Sequence, residues 1–336
     1  MLKWISITVG LLVVVVAGLI AAAWTPDIPQ DVLIKKYTTP ASAFIALPSG
    51  ARAHYRIEGN PHGPTLVLLH GSNSSLQTWE PWVAELKDAY RIVTVDEPGH
   101  GLTGPVPSDD YTYGGLADFV KEFTDTLQLG RFFLGGNSMG GGVALTYATR
   151  YQDSLRGLIL IDAAGLATPA HTRIKVDRPL VFDLAGSWYA DWIIEHVTPR
   201  SLVKEGLDKA FVDKSRITEK MIDRYWELSR APGNRRATGL RFASYRKGPP
   251  DLKLEDIHVP TLILWGAEDR LIPEESGAEM HKRIAGSDFI VFPNVGHVMM
   301  EETPARSAAT VRAFIDRIAP PAPALGRHSG HLEKTG

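Results

Sequence analysis

The stretch Phe132-Phe133-Leu134-Gly135-Gly136-Asn137-Ser138-Met139-Gly140-Gly141-Gly142 decides how the chain is read. Its centre, Gly136-Asn137-Ser138-Met139-Gly140, has G-x-S-x-G spacing, directly follows an apolar run and opens a helix-period segment, 140–150. A serine so placed occupies a turn from strand to helix tight enough to strain its backbone, and the flanking glycines remove side chains that would collide with both elements. Its hydroxyl is thereby lifted to the carboxyl end of a sheet, while the Met139 amide at the helix start points to where negative charge develops. A glycine-rich helix start that only packs closely is the competing explanation; the strand and helix on either side favour chemistry at Ser138.

A serine hydroxyl is a weak nucleophile at neutral pH, so its proton needs a neighbouring base, and histidine has the pKa suited to that task. Among eleven histidines, His297 stands out, because Asn294-Val295-Gly296-His297 follows the last strand-like run, 289–292, and precedes the final helix-period stretch. His100, in Pro98-Gly99-His100-Gly101, reads as part of a structural turn, and His70 as support for the loop after 65–69. The imidazole needs a carboxylate to fix its tautomer and stabilise its cation. Asp269, in Gly266-Ala267-Glu268-Asp269, gives the expected chain order Ser138, Asp269, His297. Asp162, after the run 155–161, is the alternative acid, unless it caps or braces the entry to the inserted region; Glu268 is a third. The oxyanion donors are expected to be the amides of Met139 and Ser72, the latter in His70-Gly71-Ser72-Asn73, with the Asn73 side chain as an alternative to Ser72.

Outward from the serine turn, short apolar runs at 65–69, 91–95, 131–135, 155–161, 261–265 and 289–292 alternate with helix-period stretches such as 113–127, 273–284 and 303–318. This predicts an α/β fold with a doubly wound, mostly parallel sheet covered on both faces. Pro48-Ser49-Gly50 between the runs 44–47 and 51–57 predicts an antiparallel hairpin at its start. Between 161 and 261 lies more chain than one crossover needs, helical in pattern, so 166–250 are expected to form a cap inserted into a core of 44–165 and 251–318. Residues 25–43, with Pro26, Pro29 and Pro40, read as an extended linker, and 319–336, opening Ala319-Pro320-Pro321-Ala322-Pro323, as a disordered tail. Within 168–250, sixteen Lys and Arg outnumber ten Asp and Glu. That surplus either attracts an anionic surface or substrate, or is a solvated helical face.

Cysteine is absent, which excludes disulfides, thiolate zinc sites and a cysteine nucleophile. There is no His-Glu-x-x-His, and the glycine-rich stretch is already used by the serine turn, so neither a metal nor a dinucleotide cofactor is expected. A formal net charge of −2 argues against nucleic acid as a partner. Residues 5–23 carry no charge, close to the roughly 20 residues that cross a bilayer. Residues 1–24 are therefore expected to be a membrane anchor, with Ala21-Ala22-Ala23 offering signal cleavage and export as the alternative. With Lys3 held inside, the catalytic domain is expected outside the cytoplasm. The expected partners are a small-molecule acyl substrate and, through the N-terminal helix, the membrane; no feature sets an oligomeric state.

The motifs His70-Gly71, Asp96 with Pro98-Gly99-His100-Gly101, Gly136 through Gly141, Gly266 with Asp269, and Gly296-His297 together resemble the α/β-hydrolase family. The resemblance implies its serine-nucleophile, cap-bearing branch; Ser138 sets the chain apart from the aspartate-nucleophile epoxide hydrolases and haloalkane dehalogenases. Gly-Asn-Ser-Met-Gly-Gly is similar both to esterases and to hydrolases that cleave carbon–carbon bonds in meta-cleavage products. Glu97 departs from the Arg or Leu usual at that place. The expected function is hydrolysis of a carboxylic ester through an acyl-enzyme. The alternatives are carbon–carbon hydrolysis of a dienoate and a non-catalytic binding protein on the same fold.

Overall fold

The computed structural model describes residues 23–176, 188–248 and 250–320, with residues 11, 15 and 18 in addition. Eight strands form one sheet: β1 (Ser42–Ala46), β2 (Arg52–Gly59), β3 (Thr65–Leu69), β4 (Arg91–Val95), β5 (Phe132–Asn137), β6 (Leu155–Ile161), β7 (Thr261–Gly266) and β8 (Asp288–Phe292). Their order is β1-β2-β4-β3-β5-β6-β7-β8, antiparallel at the β1/β2 and β2/β4 pairs and parallel elsewhere. The expected α/β class and the opening hairpin are both present; Gly50, at φ 86°, makes its turn.

β3, β5 and β7 are buried at every position, which is why they read as unbroken apolar runs rather than alternating ones. Along β3 the pleat still divides the side chains. Val67 and Leu69 join one core with α3 (Tyr113–Thr126), α4 (Met139–Tyr151) and α9 (Glu274–Arg283). Leu66 and Leu68 join the other with α2 (Glu80–Leu86) and α11 (Pro304–Ile318). β3 sits between β4 and β5, so the winding direction reverses there; open α/β sheets leave a crevice at the carboxyl ends of strands beside such a reversal.

Between β6 and β7 the described elements are helices: α5 (Trp188–His196), α6 (Arg200–Ala210), α7 (Glu219–Ser229) and α8 (Asn234–Tyr245). Part of their basic surplus meets acids outside the cap: Arg224 pairs with Glu301, Arg235 with Asp27 and Arg236 with Asp109, while Arg200 pairs with Glu219 and Asp223 within it.

Two expectations about the chain ends change. The stretch read as an extended linker contains a helix, α1 (Gln30–Tyr37), because the prolines bracket it rather than interrupt it. Leu33 is fully buried against Leu102, Leu228 and Ala231, and the Lys36 ammonium and Tyr37 hydroxyl both donate to Glu227, so the segment straps the cap. Upstream, Arg230 donates to the Pro26 carbonyl and Arg235 to that of Thr25. Among the described residues no helix is long and apolar enough to cross a membrane, which goes against the expected membrane anchor and the placement outside the cytoplasm that depended on it. Most of the 5–23 run, and residues 321–336 of the expected tail, lie outside the described residues.

Candidate active site

Every residue singled out for chemistry stands at the carboxyl edge of a parallel strand. Ser138 ends β5 and caps α4 with φ 53° and ψ −117°, a conformation that an L-residue adopts only under constraint. The constraint is visible: Ser138 N donates to Ile161 O at 3.0 Å, and Ser138 O accepts from Gly142 N and Ala164 N. Glycine is required on both sides. A Cβ at Gly136 would meet Gly140 O at 2.2 Å, and one at Gly140 would meet His70 O and Leu69 O at 2.5 Å. Met139 opens α4, so its amide is among the helix's first N–H groups, which have no acceptor within the helix. Gly140 N donates to His70 O at 3.1 Å, drawing the loop after β3 against the serine turn.

His297 follows β8, and its Nδ1 donates to Asp269 Oδ2 at 2.7 Å; both side chains are buried. Asp269 Oδ1 accepts from Leu271 N at 2.7 Å and Ile272 N at 3.1 Å, so both carboxylate oxygens are engaged and the group is fixed in orientation. Asp162 is placed differently. Its Oδ1 accepts from Gly266 N at 2.7 Å, bracing β6 against the end of β7. Burial, with the carboxylates of Asp269 and Glu302 nearby, pushes its carboxyl well above the usual carboxylate range. Glu268 is exposed. The structure therefore pairs His297 with Asp269 and leaves Asp162 as a buried acid behind them.

Ser138, Met139, Ser72, Asn73 and His297 line one cavity of about 1290 Å³ between core and cap. Tyr113, Tyr225, Phe242 and Tyr245 also face it, so several of the aromatic side chains on the cap border the site. His70, fully buried, donates from Nδ1 to Gly71 O at 2.8 Å and accepts from Glu97 N on Nε2 at 3.1 Å, which makes it a neutral strut for the loop; burial lowers its pKa. His100 is buried in its turn with Nδ1 on Pro98 O.

Three supports were not singled out from the sequence. Asn137 Nδ2 donates to His297 O at 2.9 Å and Ile161 O at 3.2 Å, joining the two sides of the site. The Glu302 carboxylate accepts from Gly296 N, Val212 N and Asp213 N at 2.6–2.8 Å, while His297 N donates to Ala210 O; these bonds tie the histidine loop to the cap. An acidic pair, Glu301-Glu302, after the apolar Val298-Met299-Met300 was the signal that could have found it. The third is Arg241 on α8. It is fully buried and donates from Nη2 to Ser72 Oγ at 2.9 Å and Asn73 Oδ1 at 3.1 Å. Glu97 is also fully buried, and burial raises its carboxyl well above the usual range, partly offset by Arg241.

A family model described as the alpha/beta hydrolase fold matches residues 64–304. An uncharacterised hydrolase of Bacillus subtilis, YugF, is 30% identical over 271 residues, covering 79% of this chain and 95% of that protein. The 2-hydroxy-6-oxo-2,4-heptadienoate hydrolase of Pseudomonas putida is 28% identical, covering 72% of this chain and 86% of that one. Among solved structures, a thermophilic esterase from Thermogutta terrifontis is 26% identical and superposes with a TM-score of 0.68, covering 82% of this chain and 98% of that one. Similarity of that extent, on a sheet of this order, makes the chain a member of the α/β-hydrolase family and a hydrolase.

Proposed function

We propose that the chain hydrolyses carboxylic esters through an acyl-enzyme on Ser138. Ser138 Oγ attacks the ester carbonyl while its proton passes to His297 Nε2, and Asp269 holds the imidazole and stabilises its cation. The amides of Met139 and Ser72 receive the oxyanion. Collapse expels the alcohol, which takes the proton from His297. Water, deprotonated by His297, then attacks the acyl carbonyl and releases the acid and the serine. The observation that carries this reading is the 2.7 Å contact from His297 Nδ1 to a doubly anchored Asp269, in a cavity that Ser138 also lines. Similarity to the Thermogutta esterase supports it.

The test is covalent labelling by a fluorophosphonate probe, read by mass spectrometry. Labelling of Ser138 that is lost in Ser138→Ala is expected; a folded wild-type protein left unlabelled would sink the proposal. Carbon–carbon hydrolysis by the same residues is the second reading, favoured by the similarity to the Pseudomonas putida hydrolase. A dienoate brings a carboxylate that calls for a cation, and three basic side chains line the cavity, Arg235 and Lys209, paired with Asp27 and Glu205, and Arg246. Turnover of a ring-fission dienoate with negligible ester cleavage would reverse the order.

A further inference from the structure

The cavity over Ser138, at about 1290 Å³, exceeds the roughly 300–1,000 Å³ of ordinary small-molecule sites. Its apolar surface has a definite origin. Ile193 and Ile194 come from α5, and Leu202, Val203 and Leu207 from α6. Ser74 in the loop after β3, Tyr225 on α7 and Thr238 on α8 bring polar groups, and the charged residues of α6 that line the cavity, Glu205 and Lys209, are paired with each other. Ile193 and Leu202 are cavity-lining yet 47% and 50% exposed, so the apolar wall reaches solvent. Beside Ile193, Trp192 is 40% exposed with its ring 5.9 Å from that of Trp24. Large apolar side chains exposed singly mean little; continuous with an apolar cavity they mark the entrance for an apolar ligand.

We infer that the cavity takes a long acyl chain, seated along α5 and α6 with its ester carbonyl at Ser138, so that the substrates are esters of long-chain fatty acids. This rests on the ester-hydrolase reading and adds the acyl class to it. Apolar burial is proportional to area, so each methylene that enters the cavity strengthens transition-state binding about fourfold until the wall is covered. The polar groups of the post-β3 loop, α7 and α8 are left to the alcohol portion.

Gly206 offers a clean perturbation. It lies on α6 and lines the cavity, and a Cβ added there meets nothing within 4 Å. Gly206→Trp therefore adds bulk to the acyl wall without backbone conflict and replaces the residue least suited to a helix interior after proline.

The experiment compares kcat/KM of the full chain for p-nitrophenyl acetate, butyrate, octanoate and palmitate below their micelle concentrations. Calorimetry alongside it measures binding of acetate, octanoate and palmitate ions to Ser138→Ala. Rising kcat/KM and rising affinity with chain length are expected, with the palmitate-to-acetate ratio falling about tenfold in Gly206→Trp, equivalent to losing between one and two buried methylenes. Acetate as the best ester overturns the acyl-class inference and leaves the ester reading standing. Failure to cleave any ester overturns the ester reading. In that case calorimetry still decides, since affinity independent of chain length also overturns the long-chain site.

Discussion

Replacing Asp269 by Asn separates the two aspartates by role. In the native site Asp269 Oδ1 faces two donors, the amides of Leu271 and Ile272, and Oδ2 faces His297 Nδ1. An asparagine keeps its carbonyl oxygen toward the two amides and turns its NH₂ toward His297. Nδ1 must then accept, the ring proton moves to Nε2, and Nε2 can no longer take the serine proton. Restoring the working tautomer requires flipping the amide and forfeiting two partly buried backbone hydrogen bonds, each costing about 1–3 kcal/mol. The total of about 2–6 kcal/mol corresponds to a fall in kcat/KM of about 30-fold to somewhat over 10⁴-fold. Asp162→Asn should change kcat/KM by less than about tenfold, because burial already disfavours its charged form and an amide oxygen still accepts from Gly266 N. Both variants are assayed on the best ester of the series, with thermal unfolding to confirm folding. Asp269→Asn within tenfold of wild type, or Asp162→Asn as damaging as Asp269→Asn, refutes the assignment of the acid.

Glu97 should make stability fall with rising pH. Its folded pKa is raised, so the native state binds more protons than the unfolded state above the unfolded value of about 4.3, and stability declines by about 1.4 kcal/mol for each pH step of one until the folded pKa is passed. Glu97→Gln removes that slope, so urea midpoints at pH 5 and pH 8 should lie closer together than in wild type; a variant less stable than wild type at pH 8 contradicts the raised pKa. Glu302→Ala strips acceptors from three backbone amides and is expected to cost about 3 kcal/mol and to lower kcat through the His297 loop, measured by denaturation and by turnover on one ester. Leu33→Ala opens a void in the fully buried contact between α1 and the cap and should cost about 2 kcal/mol, the low end for such truncations, read by urea unfolding.

Much of the fold was legible because it is written locally. Apolar runs marked β3, β6 and β7, and the glycine at 136 is demanded by contacts within the strand–turn–helix unit itself. α1 was missed because prolines near it outweighed the short Leu33–Tyr37 spacing that only a partner surface makes meaningful. In the same way, the charge of the cap could not be apportioned. A count of Lys and Arg carries no information about Asp27, Asp109 or Glu301, which lie outside the cap and are brought to its arginines by folding.

The sequence by itself determined the alternation of strands and helices in the core, the strained serine turn and a short list of candidate acids and bases, since each depends on residues within about one element of one another. Tertiary structure alone decided that His297 meets Asp269 and not Asp162, and that Glu302 and Asn137 hold the histidine loop. It also decided that the cap closes an apolar cavity over Ser138. Those outcomes turn on ångström distances between groups up to 160 positions apart, and on the burial that raises the Asp162 carboxyl.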